Sequence, residues 1–407
     1  MRKPLGALAT LAAASLALAA CAMPADDPNF QSGSGIGGDV EAAAEANAVG
    51  TAALDALVAA PAGIGVDAPL AAAPKKGAEI VSITDGSDYE AVTEKAMAAA
   101  AEALGWKFTS VTADPADPTA VAAAFDAAVE GKASGIHFGG EFYDSVMMSL
   151  PNAESAGIPV ICTGCTGEPG GGLSDTSING TAENFAWADA MASYVNTNQW
   201  KGEAAGVQIF VAPGGAINDF NTQFDTSLVN QCRECSTMQS MFDPTMTDLT
   251  DPAAVATFIA GEMGTSLGAW ALIDSGAYSS GVAEALTTDP TLLAPVTLLG
   301  RGASASDIEA LKALGGAAPE ADPAATSRTP EQAAALQAWI AIPLPVMGWR
   351  VIDQFARLIG GEAAANGPLP AQFLTGGNVG EAVLDADGNF IGVADYEAQF
   401  LALWGVK

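Results

Sequence analysis

Histidine is almost absent: the 407-residue chain has one, His137, set in the apolar stretch GIHFGG. Nucleophilic hydrolysis wants a base beside its serine or cysteine, usually a histidine, and a lone histidine among apolar neighbours reads as a core residue. Basic residues are scarce too, 15 Lys and Arg against 47 Asp and Glu, for a formal net charge of −32. Such a surface repels phosphate backbones and argues against a nucleic-acid partner. No GxxxxGK[ST] loop is present to cradle a nucleotide phosphate. The string DADGNF from Asp385 has the first two acidic positions of a calcium loop, but Phe390 stands where that loop needs glycine and Tyr396 where it needs glutamate. A hairpin turn explains it better. Nothing in the sequence calls for a cofactor or a resident metal, and no enzyme chemistry is legible.

The N-terminus is informative. Arg2 and Lys3 precede an uncharged apolar stretch, Leu5 to Ala20, of about 16 residues, followed by Cys21. That is short for a helix crossing ~30 Å of hydrocarbon and has the layout of a secretory signal peptide, residues 1–20. LAAC at Leu18 to Cys21 resembles the bacterial lipobox, which implies lipidation of Cys21 and a body tethered outside the cell membrane by its N-terminal lipid. An ordinary signal peptide with an incidental Cys21 is the alternative. Residues 21–75 then read as a Gly, Ser, Asp and Pro-rich spacer, one loosely attached Ala-rich helix, and an extended linker.

Half of the residues are apolar, and the length left after the signal suits two domains. From Ala78 the chain alternates short apolar strands with helical segments: AEIVSIT, DYEAVTEKAMAAAAEALG, WKFTSVTA, DPTAVAAAFDAAVEG, ASGIHFGG, a helix to Ala156, and GIPVICT. The rhythm resumes with GVQIFVA, a helix from about Ile217 to Asn230, STMQSMF, DPAAVATFIAGEMG, GAWALID, SSGVAEALTT and PVTLLGR. Strands alternating with helices of this length predict βαβ units, an α/β fold of two Rossmann-like lobes with parallel sheets. The loops after the strands, TDGSDY, GGEFY, CTGC, APGGAIND, DSGAYS and GRGAS, offer hydroxyls, carboxylates, backbone groups and tyrosine faces where such sheets bind ligands.

The order and spacing of AEIVSITDGSDYEAVTEKAMAAAAEALGW, DPTAVAAAFDAAVEGKASGI, AGIPVI, GAWALIDSGAYSSGVAEAL and GWRVIDQFARLIGGE resemble the type I periplasmic binding proteins, the ribose-binding-protein-like receptors of ABC importers, over roughly Lys76 to Lys407. The resemblance implies a Venus-flytrap of two lobes joined by a three-segment hinge. Residues 76–179 plus 343–375 would form lobe 1, and 180–342 plus 376–407 lobe 2. It implies a monomer that captures a small solute and hands it to the permease subunits of an ABC transporter. A receptor of the same fold serving a sensor, or an exported enzyme, are the alternatives. Carried over by position, Ser87, Asp88 and Tyr89 stand where the family's first-strand loop meets the ligand. Where sugar-binding members often carry an Asp-Arg pair, this chain has Gly164 and Cys165. Asn218 stands in place of a second-lobe arginine.

The candidate ligand-binding residues are Asp85, Ser87, Asp88, Tyr89, Glu141, Tyr143, Thr163, Asn218, Asp274, Ser275, Tyr278 and Arg301. With arginine grips missing except Arg301, and carboxylates around the cleft, the solute is expected to be neutral or cationic, a sugar or polyol first. Cys162 and Cys165, in CTGC, and Cys232 and Cys235, in CREC, could make a four-thiolate zinc site or a thioredoxin-like redox pair. However, some 66 residues separate the pairs, and the helix between would carry the second pair ~20 Å from the cleft. A disulfide needs Cα atoms within about 7 Å. Outside the cytoplasm the leading reading is two local disulfides, Cys162 with Cys165 and Cys232 with Cys235, and no metal.

Overall fold

The structure, a computed structural model, describes residues 40–198, 205–210, 215–232, 235–241, 248–266, 270–288, 296–315, 334 and 336–406. The signal stretch and Cys21 lie outside the described residues. Helix α1 (Val40–Val58) precedes β1 (Glu79–Thr84), α2 (Asp88–Ala103), β2 (Lys107–Thr112), α3 (Pro118–Glu130) and β3 (Gly135–Gly139). A 3-10 turn (Gly140–Phe142), α4 (Tyr143–Val146) and α5 (Leu150–Ala156) lead into β4 (Val160–Thr163). There follow α6 (Thr181–Asn198), β5 (Ala205–Phe210), α7 (Gly215–Gln231), β6 (Ser236–Met241), α8 (Pro252–Ser266), β7 (Trp270–Ile273), α9 (Val282–Thr288), β8 (Thr297–Arg301) and α10 (Ala305–Leu314). The chain ends with β9 (Ala338–Ala341), α11 (Leu344–Gly360), β10 (Gln372–Thr375) and α12 (Tyr396–Trp404).

Local chemistry explains many of the boundaries. Ser87 caps α2 by accepting from the Glu90 N–H, with Asp88 and Glu90 in the first turn where the helix dipole favours negative charge. Asp117 caps α3 and Pro118 fills its first position, where a missing N–H costs nothing. Ser304 and Asp307 form a reciprocal capping box on α10. Strands β3, β4, β7, β8 and β9 are buried along their whole length, as parallel strands covered on both faces must be.

These strands make two sheets. The first has the order β2-β1-β3-β4, all parallel, and the second β10-β9-β8-β7-β5-β6, parallel except for β10 against β9. Val81, Ile83, Phe125 and Phe138 form a core beneath one face of the first sheet. Val207, Ile273, Leu298 and Trp339 do the same for the second. A third core runs through both halves, from Ile80, Met97 and Trp349 to Phe220, Trp270 and Ile340. The four tryptophans Trp270, Trp339, Trp349 and Trp404 are all core residues.

Two expectations are corrected and one, the extended linker, is sharpened. First, α1 is firmly docked: it packs on α6, α7 and β10. The Asn47 amide donates to the Gln231 carbonyl at 3.3 Å and Asn196 donates to Asn47 at 2.8 Å. Second, the linker after α1 is bonded in place. Arg357 donates to the Ala68 carbonyl at 2.6 Å, Trp106 to Lys75 at 2.7 Å, and the Leu70 N–H to Leu403 at 2.9 Å.

Third, the expected lobe limits fail at two places. Strand β10 was expected in lobe 1 but pairs with β9 in the second sheet. Helix α12 was expected in lobe 2 but packs on α11, which itself packs on α2. The reason is apolar matching: Trp404 stacks on Trp349 with ring centroids 5.3 Å apart and planes 5° apart. Its indole N–H also reaches Asp353 at 2.9 Å, and Asp353 is paired with Arg357 at 2.9 Å.

Trp404 is therefore a clamp for the C-terminus. Truncating a buried aromatic of this size costs about 3–5 kcal/mol, so Trp404→Ala should lower the stability read from urea denaturation by that amount. A loss below ~1 kcal/mol would show α12 to be peripheral.

Candidate functional site

The carboxyl ends of both sheets face each other, and the loops there meet. Gly86, at φ +76, turns the chain after β1, and Asp85 Oδ1 accepts from the Ser87 N–H at 2.7 Å. That turn projects Tyr89 from the start of α2 onto the second half. A Cβ added to Gly302, after β8, would stand 2.6 Å from Tyr89 Oη, and one added to Gly276, after β7, would stand 3.1 Å from the ring. Only bare backbone admits the tyrosine this closely. A cavity of about 570 Å³ opens beside it between the halves, lined by Ser87, Asp88, Tyr89, Thr250, Tyr278 and Ser304 among others. That volume suits a small ligand.

Beside the cavity, the first half carries an acidic cluster at the start of α2. Glu90, which the sequence reading passed over, turns its Oε2 back to accept from Thr84 Oγ1 at 2.5 Å and from the Asp85 N–H at 2.8 Å. Burial first, and the neighbouring Glu141 and Asp85 charges next, push its carboxyl well above the usual range. Glu141 keeps accessible surface, yet the protein around it also raises its pKa, burial leading. Glu94 is raised as well, burial again outweighing its bond to Ser110. Behind this cluster lies a polar relay on the sheet: His137 bridges Ser82 at 2.9 Å and Thr163 at 3.1 Å. Burial drops the His137 pKa to about 3, so it stays neutral.

The second-half wall centres on Arg301, 2% exposed. Its Nε donates to Asn184 at 2.8 Å, its Nη2 to Asn179 at 2.6 Å, and its Nη1 to the Asp274 carbonyl at 3.4 Å. The guanidinium lies over Trp187 and Phe220, at 5.5 and 5.9 Å from the ring centroids. Asp274, also buried, accepts from Asn221 at 2.8 Å and from the Tyr278 hydroxyl. Burial lifts Asp274 to about 7, against the pull of Asn221 and Arg301. Glu183, lifted to about 7 by burial, accepts from the Asn179 and Leu369 N–H groups and so joins two crossings of the chain. Asn179 holds φ +54, unusual for a residue with a side chain.

Of the expected residues, Ser87, Asp88, Tyr89 and Tyr278 line the cavity, Asp85 and Glu141 lie in the acidic cluster with Glu90, and Asp274 and Arg301 lie in the buried network with Tyr278. Asp274, Tyr278 and Arg301 are bonded to one another and to further protein groups. Ser275 caps the turn at 276–278 by accepting from the Ala277 N–H at 3.2 Å. Asn218 is exposed on the first turn of α7, Thr163 is tied to His137, and Tyr143, 37% exposed, points into neither wall's hydrogen-bond network among the bonds described. Residues 211–214 of the APGG loop lie outside the described residues. Both local disulfides are formed, Cys162 with Cys165 and Cys232 with Cys235, at Cα separations of 5.6 and 5.3 Å. Among the described residues no cluster of three or more His, Cys, Asp or Glu is placed to hold a metal ion. Glu90, Asn179 and Glu183 had no signal in the sequence, because only the turn after β1 and the first crossing aim them.

No protein-family model and no curated protein sequence matches the chain. Solved structures do. A sugar ABC transporter protein from Yersinia enterocolitica subsp. enterocolitica 8081 superposes with a TM-score of 0.61 at 15% identity, covering 83% of this chain and 99% of that one. An ABC transporter solute-binding protein from Burkholderia graminis C4D1M, in complex with D-arabinose, gives 0.57 at 15% identity over 74% and 96%. One from Agrobacterium vitis with bound allitol gives 0.55 at 19% identity over 75% and 98%. The likeness shows the fold, the two-lobed α/β architecture of type I periplasmic binding proteins.

The acidic cluster has a measurable signature. Raised carboxyl pKa values mean that the folded chain holds protons which the unfolded chain releases above the ordinary value of 4.5. The associated stability is full below that value and drains away as pH rises. Melting between pH 5 and pH 8 should therefore show a fall in stability, and Glu90→Gln should flatten it by at least ~1 kcal/mol, roughly one pKa unit. An unchanged slope would place the protons elsewhere.

Proposed function

We propose that the protein is an extracytoplasmic solute-binding component of an ABC importer, capturing a neutral or cationic sugar or polyol between its two lobes and delivering it to the permease. The observation that carries this reading is Tyr89: an aromatic from the first half laid against the bare loops of the second, beside a cavity of ligand size. Closure of this kind binds a solute because the closed form makes contacts that the open form lacks. The solute class follows from charge. Asp85 and Asp88 disfavour an anion, and each Arg301 nitrogen already donates to a protein acceptor. A carboxyl group held neutral at Glu90 can donate as well as accept hydrogen bonds, which suits hydroxyl groups. In this proposal Cys21 carries a lipid, the mature chain is a monomer on the outer face of the membrane, and binding involves no turnover of the solute.

A thermal-shift screen over neutral sugars, polyols, amines and organic acids, with D-arabinose and allitol included, tests the class. A ligand at 100 times its dissociation constant adds ~2.7 kcal/mol of stability. Neutral polyhydroxylated compounds should stabilise the protein, and Tyr89→Ala should weaken the best of them about 5- to 150-fold, the value of ~1–3 kcal/mol of buried ring surface. Stabilisation by organic acids alone, or chemical conversion of the bound compound, would overturn the proposal.

A further inference from the structure

The CTGC disulfide has no part in the cavity beside Tyr89, yet it sits where the halves touch. Cys162 is the last residue but one of β4 and, like Cys165, is buried. The bridge closes a four-residue turn whose apex, Gly164, holds φ +71. Three backbone bonds fix this turn. The Cys162 N–H donates to the Asp175 carbonyl at 3.0 Å, the Gly164 N–H donates to Ile178 at 3.0 Å, and the Gly164 carbonyl accepts from the Ala216 N–H at 2.6 Å.

The third bond differs from the others because Ala216 belongs to the second half, in the first turn of α7. The first N–H groups of a helix have no partner within it, and the helix dipole favours a carbonyl oxygen there. Gly140 from the loop after β3 and Gly215 at the start of α7 crowd the same oxygen so closely that a Cβ on either would collide with it. Three loops thus meet backbone to backbone at one carbonyl.

We infer that the Cys162–Cys165 turn is a closure latch: the disulfide aims the Gly164 carbonyl at the amino end of α7 and so sets how firmly the two halves shut on a solute. The inference rests on the solute-binding reading for its purpose, but the latch itself can be observed with no ligand present. The second disulfide provides an internal comparison, since it lies at the other end of α7 with its Cys235 N–H bonded back to Cys232 at 3.2 Å.

Hydrogen exchange of the Ala216 amide in the purified full chain is the test. In Cys162→Ala/Cys165→Ala the exchange of Ala216 should quicken about 2- to 10-fold, the loss expected for one backbone hydrogen bond, while Cys232→Ala/Cys235→Ala should leave it within a factor of 2. Gly215→Ala, which keeps both disulfides and places a methyl group against the Gly164 oxygen, should quicken it too, so the test survives if the first variant folds poorly. Unchanged exchange in Gly215→Ala, or equal acceleration by loss of either disulfide, would overturn the latch. Failure of every sugar and polyol to bind would overturn the proposed function while leaving this result standing.

Discussion

The burial of the Arg301 guanidinium is the constraint on which the cleft depends. A charge this far from water is tolerated only with partners for its donors and compensating charge nearby. It takes the Asn179 and Asn184 side chains from the crossing into the second half, the Asp274 carbonyl from the end of β7, and two aromatic faces. Asn179 is in turn held by Glu183, which also receives the Leu369 N–H from the return crossing. One cation therefore ties the ends of two second-sheet strands to two connections between the halves. Asp274 and Glu183 face it with pKa values lifted to about 7, so the charge balance at the hinge can respond to pH near neutrality.

The two walls of the cleft have opposite characters for physical reasons. Arg301 and its partners close on themselves and form a rigid floor, whereas the carboxyl groups of Asp85, Glu90 and Glu141 sit close together with no cation bonded to them among the described ion pairs. Burial, with the neighbouring charges, raises the Glu90 and Glu141 carboxyls. A neutral Glu90 then offers an acid group suited to hydroxyls. Across the cleft, Tyr89 against Gly276 and Gly302, and Gly164 against Ala216, are two separate points of contact between the halves, one through a ring and one through backbone.

Much of the fold was legible. Alternating apolar strands and helices predict two parallel sheets. Pairing within each C-x-x-C follows from the distance between them. What was not legible is where each end of the chain goes. The packing of α1 on α6 and α7 depends on the surface those helices offer after folding, and the return of α12 to α11 on Trp349 being free to stack with Trp404. Neither surface exists in the linear chain.

The site divides in the same way. Local rules determined that residues 85–89 form a polar turn ending in a tyrosine, that Cys162 lies near the carboxyl end of a strand, and that Arg301 and Asp274 lie at or just past the ends of others, because turn chemistry and strand period act over a few residues. Only the tertiary structure decided that Arg301 and Asp274 bond to protein groups, that Glu90 turns back toward the Asp85 loop, and that the Gly164 carbonyl meets α7. Those outcomes depend on burial and on approach between segments tens to hundreds of residues apart, and both are properties of the packed chain.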